Sequence, residues 1–130
     1  MRSWASPLGA LACAGLMSAT ALAQTVGSVE RGRALLANRT ESGCVLCHQV
    51  PGLPAGGELG PPLTGLARLG GAQMLRERIA DARRFNPQTI MPPYLSTDGL
   101  QDVAAAYRGQ TVLTPQGLDD IVAYLMRMAP

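Results

Sequence analysis

Apolar residues recur at helical spacing in four stretches of the chain, and no stretch shows the convincing period-two alternation of a half-buried strand. The first stretch runs from about Ser28 to Asn38, with Val29, Gly32 and Leu36 on one face and Ser28 placed to cap its start. A second is expected over about Ala72 to Arg84, where Ala72, Leu75, Ile79 and Ala82 share a face while Arg76, Asp81 and Arg83 lie elsewhere. A third, shorter one covers about Leu100 to Tyr107, with Leu100, Val103, Ala104 and Tyr107 in helical register. Thr114-Pro115 opens the fourth, Thr as cap and Pro in the first turn, and Leu118, Ile121, Val122, Leu125 and Met128 form its apolar stripe. The pattern predicts an all-α domain of about four helices.

Between these stretches lie two long connections. Residues 49–71 hold Pro51, Pro54, Pro61 and Pro62, and residues 85–97 hold Pro87, Pro92 and Pro93. Loops of this length are uncommon in a small domain unless they serve a purpose, and wrapping a large apolar cofactor is one such purpose.

The start of the chain is a different kind of segment. Residues 1–23 carry one charge, Arg2, then an apolar run from about Leu8 to Leu22 that ends in Ala21-Leu22-Ala23. This reads as a secretory signal peptide, so that residues 24–130 form the mature domain, exported to the periplasm. Ser18 and Thr20 interrupt the run, which argues against a membrane span. Cys13 falls inside the apolar stretch, but the stretch continues well past it and Ala10 is a poor residue three positions upstream, so lipidation is not favoured. The mature chain has ten arginines against nine carboxylates, a net charge of +1 that does not mark a nucleic-acid binder. Its aromatic residues are Phe85, Tyr94, Tyr107 and Tyr124, with no Trp, so its own side chains make a lean core.

Cysteine usage gives the chemistry. The mature chain retains Cys44 and Cys47, too few for a disulfide framework, and residues 44–48 read Cys-Val-Leu-Cys-His. This is the spacing of a c-type haem attachment site: two thiols three positions apart add across the two vinyl groups of one haem edge, and the next residue, His48, brings an imidazole under the ring to bind iron. His48 is the only histidine in the chain. Zinc would need further Cys or His ligands that the chain lacks, and a thioredoxin-like dithiol would need a βαβ context. The expected cofactor is one covalent haem c.

With no second histidine, the opposite iron face falls to Met, Tyr or no side chain. Met74, Met126 and Met128 sit in helical patterns, where a methionine ordinarily fills core space. Met91 instead lies in the run Phe85-Asn86-Pro87-Gln88-Thr89-Ile90-Met91-Pro92-Pro93-Tyr94, whose prolines fix backbone angles and bias Met91 towards extended geometry. Such a strap can hold a thioether over the haem, which makes Met91 the candidate second axial ligand. Iron closed on both faces suits electron transfer rather than substrate activation. A gas-binding sensor would require Met91 to dissociate.

The residues then resemble a family. Gly32 in the first helix and Tyr124 in the last look like the crossing of terminal helices in class I cytochromes c. Gly60-Pro61-Pro62-Leu63 resembles the turn in which a proline carbonyl accepts the imidazole N–H of the proximal histidine; Pro61 is the matching position. The proline strap with Arg84-Phe85-Asn86-Pro87, then Ala106-Tyr107-Arg108-Gly109 and Asp120-Ile121-Val122-Ala123-Tyr124-Leu125, is similar to the SoxX family, the small monohaem subunits of the SoxAX cytochromes of thiosulfate oxidation. That resemblance implies a heterodimer with a larger, SoxA-like c-type cytochrome. The SoxA subunit holds the reacting centre, where thiosulfate is joined oxidatively to a cysteine of the SoxYZ carrier. The small subunit accepts the electrons and passes them to a downstream cytochrome. No catalytic residue is then expected in this chain, and a free periplasmic electron carrier is the alternative. Arg76, Arg78, Arg83 and Arg84 crowd the second helix and its exit, where they would pair with haem propionates or a partner's acidic edge, or simply form a solvated face.

Overall fold

The structure, a computed structural model, describes residues 26–128. The expected leader at 1–23, with Cys13 and the cleavage site, lies outside the described residues. Four α-helices follow in order: α1 (Val29–Ala37), α2 (Cys44–Cys47), α3 (Gly71–Ala80) and α4 (Pro115–Met128). Single 3-10 turns at Leu66–Leu69, Ala82–Arg84 and Ala105–Tyr107 punctuate the connections. Among the described residues there is no strand, and no helix is long and apolar enough to cross a membrane.

The two terminal helices form the frame. Ser28 caps α1, its hydroxyl accepting the Arg31 N–H at 3.2 Å. Thr114 caps α4 through the Gly117 N–H at 3.0 Å, with Pro115 in the first turn where its missing N–H costs nothing. The helices meet at Gly32, whose Cα lies so close to the Asp120 carbonyl that a methyl group there would overlap it. The crossing point on α4 is therefore Asp120–Ile121, one turn before Tyr124. Tyr124 runs on to the first long connection, donating its hydroxyl proton to the Pro51 carbonyl at 2.7 Å.

Behind this crossing, Leu36 from α1 and Leu118, Ile121 and Leu125 from α4 are fully buried. Leu75 and Ile79 bring α3 onto the same core. Truncating any one of these side chains to Ala costs ~2–5 kcal/mol.

Two expectations change in detail. The helix expected to reach Arg84 stops at Ala80, because Asp81 turns its carboxylate onto the Arg83 N–H at 3.1 Å and starts a new 3-10 turn. The helix expected over 100–107 reduces to the turn Ala105–Tyr107. Asp102 sits at φ +54° in the middle of that run, and Leu100 and Tyr107, the intended ends of its apolar face, are 40% and 67% exposed. Eight residues are too few to offset helix nucleation without a buried face. The fourth helical element is instead the turn Cys44–Cys47.

A buried polar knot fastens the crossing. Asp120, 2% exposed, accepts the Ser28 N–H at 2.7 Å, the Arg31 Nε and Nη2 at 2.7 and 2.8 Å, and the Gln116 amide at 2.9 Å. These bonds, Arg31 first, hold the Asp120 carboxyl below the usual carboxylate range against the opposing effect of burial. A carboxyl lowered on folding stabilises above its unfolded pKa, about 3.9, and loses that stabilisation as pH falls through the folded value. Thermal melts at decreasing pH are therefore expected to show wild type losing melting temperature below about pH 4. D120N is expected to give a shallower acid limb and to be less stable at pH 7 by about 1–3 kcal/mol. The residual slope in D120N comes from Asp81, which Arg83 lowers in the same way.

Candidate cofactor site

The site begins with one helical turn. Gly43, at φ +67°, lets the chain enter α2 in a left-handed conformation that a side chain would disfavour. Cys44 and Cys47, three apart on that turn, are half-buried and both line one cavity. Burial pushes the Cys44 thiol up, and its Sγ lies 3.9 Å from the Tyr94 hydroxyl. His48 leaves the turn with extended backbone (φ −118°, ψ 142°) while its N–H still bonds the Cys44 carbonyl at 2.9 Å.

The imidazole is held on two sides. Its Nδ1 is 2.7 Å from the Pro61 carbonyl oxygen. A carbonyl only accepts, so Nδ1 carries the proton and Nε2 keeps its lone pair. Gly60 seats the ring: a Cβ there would overlap Cε1 and lie 2.7 Å from Nδ1. Loop 56–63 is laid on the cysteine motif by backbone bonds, Gly57 N–H to Val45 O at 3.0 Å, Gly60 N–H to Cys47 O at 2.8 Å and Leu63 N–H to Gln49 O at 2.8 Å. Gly56 and Gly57 approach the His48 and Leu46 carbonyls too closely for any side chain.

The second long connection forms the strap over the other side. The Asn86 side chain accepts the Gln88 N–H at 3.0 Å and its carbonyl the Thr89 N–H at 3.0 Å, giving a tight turn. The Thr89 hydroxyl then accepts the Met91 N–H at 3.1 Å. Beyond Met91 the strap is tied down three times: Tyr94 OH donates to the Ser42 carbonyl at 2.8 Å, Leu95 N–H to Ala80 O at 3.0 Å, and Leu113 N–H to Tyr94 O at 3.1 Å. Tyr94 is 4% exposed, and burial raises its hydroxyl above the ordinary phenol range.

These segments enclose a cavity of about 500 Å³, in the size range of cofactor sites. All five residues singled out from the sequence, Cys44, Cys47, His48, Pro61 and Met91, line it, with Leu36, Ile79, Ile121 and Leu125 among its apolar walls. Two thiols, a lone-pair nitrogen and a thioether in an apolar slot fit a flat macrocycle with two reactive vinyl groups and a central iron. Among the described residues no cluster of three or more His, Cys, Asp or Glu is arranged to hold a bare metal ion.

The arginine cluster divides. Arg76 pairs with Asp119 at 2.6 Å and Arg83 with Asp81 at 2.7 Å, while Arg84 is exposed. Arg78 alone of the four lines the cavity. Sequence reasoning also missed the role of Gly60 in seating the ring, which its place directly before the Pro61 carbonyl acceptor could have signalled. It missed Ser42 as well, whose hydroxyl donates to Leu35 O at 2.6 Å and whose carbonyl receives Tyr94. Nothing in the local pattern marked that serine.

The family model for cytochrome c matches residues 29–129, and the chain belongs to the cytochrome c family. Its fold is similar to that of a chain in the crystal structure of SoxXA from P. pantotrophus, with a TM-score of 0.71 and 26% identity over 82% of this chain and 85% of that one. No curated protein matches it in sequence. It is a SoxX-like electron-transfer cytochrome, and its family implies covalently bound haem c.

The seat under His48 can be tested directly. In the haem-loaded protein G60A is expected to displace the imidazole from Pro61 and to cost about 1–3 kcal/mol as an overpacked site. The melting temperature of the holoprotein and the ferric absorption spectrum measure both effects.

Proposed function

We propose that Cys44 and Cys47 hold one haem c through thioethers, that His48 and Met91 bind its iron from opposite faces, and that the protein is the electron-accepting subunit of a SoxAX-type complex. The observation that carries the ligand set is that His48 and Met91, from two separate loops, line one apolar cavity whose floor is the Cys44–Cys47 turn. Haem iron, when bound, cycles between ferrous and ferric states and so carries one electron at a time.

The residues divide the remaining work. Cys44 and Cys47 fix the ring against rotation. Pro61 accepts the Nδ1 proton of His48, which orients the ring and makes Nε2 a better donor. Met91 contributes a neutral thioether that favours the ferrous state, so the potential lies above that of a bis-imidazole site. Leu36, Ile121 and Leu125 keep water from the ring.

The role in the complex rests on the strap and flanking motifs and on the likeness to a chain of SoxXA. At the partner's site, a thiosulfate sulfur and a carrier cysteine thiolate form one S–S bond and release two electrons. With both of its mature cysteines consumed in thioethers, this chain has no thiol left for that step and takes the electrons singly, handing each to a downstream cytochrome. Residues 1–23 serve as the export signal that brings the chain to the periplasm, where haem is attached and the SoxA-like subunit and the SoxYZ carrier are met.

The test is purification from the host without dissociating conditions. A heterodimer with a larger c-type cytochrome, whose small-subunit haem is reduced by thiosulfate in the presence of the cysteine carrier, is the expected result. A lone monohaem monomer at low salt would overturn the subunit role and leave a diffusible carrier. M91A is expected to lose the long-wavelength sulfur-to-iron absorption band and to bind carbon monoxide in the ferrous state, and M91H to lower the reduction potential. An unchanged band in M91A would remove Met91 from the ligand set.

A further inference from the structure

We propose that Tyr94 is the positioning residue of Met91: its hydroxyl, bonded to the Ser42 carbonyl, holds the methionine in place through the stiff Pro92-Pro93 spacer and so keeps the iron closed to outside ligands. The inference rests on the reading that Met91 binds haem iron, and three observations carry it. Residues 87–93 hydrogen-bond only within the strap: Gln88 N–H to the Asn86 side chain, Thr89 N–H to the Asn86 carbonyl and Met91 N–H to the Thr89 hydroxyl. No hydrogen bond joins this run to another segment of the described residues, and Ile90, beside Met91, is 76% exposed. Arg78, its Cζ 4.5 Å from the centroid of the Phe85 ring, stacks on the strap before the run begins.

Tyr94 is the first residue beyond Met91 that is bonded to the body of the domain. It is buried, lines the cavity, and donates its hydroxyl proton to the Ser42 carbonyl at 2.8 Å. That acceptor is itself fixed, because the Ser42 hydroxyl donates to Leu35 O at 2.6 Å and accepts the Cys44 N–H at 3.4 Å. The same tyrosine hydroxyl lies 3.9 Å from Cys44 Sγ, so one anchor serves both the strap and the cysteine turn. Between Met91 and Tyr94 stand only Pro92 and Pro93. Each proline locks its own φ and biases the residue before it towards extended backbone, so the pair passes the position of Tyr94 on to Met91 with little slack.

The arrangement has a measurable consequence. A tethered thioether competes with any free ligand for the same iron position, and its advantage depends on how tightly the tether is held. The apparent affinity of an outside ligand is its intrinsic affinity multiplied by the fraction of molecules in which Met91 is off the iron. Phenylalanine at position 94 fills the same space but leaves the buried Ser42 carbonyl without its donor. The strap is then free to lift without the cysteine turn, and that fraction rises.

Cyanide titration of the ferric, haem-loaded protein tests this, with loss of the sulfur-to-iron band as the signal and urea unfolding by far-UV circular dichroism measured alongside. Y94F is expected to exchange Met91 for cyanide at a roughly tenfold lower concentration than wild type, a gain larger than the rise in its unfolding constant. Y107F serves as a control, since Tyr107 is exposed and outside the cavity lining; it should follow wild type. Wild-type cyanide affinity in Y94F would overturn the proposal. So would a gain no larger than the rise in the unfolding constant, because that is what a general loss of stability produces. If Y94F does not accumulate, P92A decides: Pro92 is exposed, and its replacement loosens the spacer with the Tyr94 bond in place. A severalfold gain in cyanide affinity is expected there, and none would overturn the proposal equally. Absence of the sulfur-to-iron band in wild type would instead count against Met91 ligation, whatever the variants show.

Discussion

The close approach of α1 and α4 at Gly32 sets the geometry on which every other contact depends. Only a residue without a side chain lets the α1 backbone rest on the Asp120 carbonyl, and the knot of Ser28, Arg31 and Gln116 around the Asp120 carboxylate then locks the angle. With the two ends of the domain crossed, the chain from Asn38 to Thr114 has to run around them. It does so with the Cys44–Cys47 turn, α3 and a buried face made mainly of Leu, Val and Ile. Phe85 is 38% exposed, so the buried aromatic residues among those described are Tyr94 and Tyr124, a lean core that suits a domain closed around the haem c its family implies.

The cofactor walls are built mainly from main-chain bonds. Loop 56–63 is held to the Cys44–Gln49 segment by three backbone hydrogen bonds, and Gly56 and Gly57 approach that segment's carbonyls directly. A loop fastened through its backbone has little freedom to slide, so the His48 ring inherits the precision of the turn beneath it. The strap bearing Met91 uses the side chains of Asn86 and Thr89 for the same purpose, each accepting a backbone N–H within two residues.

Much of this was legible in the sequence because the signals were local. Ser28 and Thr114-Pro115 announce helix starts by hydrogen-bond chemistry that needs no tertiary partner. The spacing of Cys44, Cys47 and His48 encodes a covalent geometry, and the prolines around Met91 encode an extended strap. What was not legible depended on distant partners. The helix expected at 100–107 had the right period but no surface to bury it, and the one expected to reach Arg84 yielded to an Asp81 carboxylate that competes with the backbone. Arg76, Arg78, Arg83 and Arg84 look equivalent in a linear reading. Only the positions of Asp119, Asp81 and Phe85 distinguish them.

The bond from Tyr94 to the Ser42 carbonyl joins two segments that meet nowhere else in sequence, one leading out of the strap and the other leading into the cysteine turn. Ser42 is in turn fixed to the end of α1 through Leu35, and Tyr94 to the approach to α4 through Leu113. A fluctuation that lifts the strap must therefore also loosen the segment that positions the first cysteine. The domain opens as one cooperative unit rather than flap by flap, and amide protons on either side of the cavity should share a single exchange free energy.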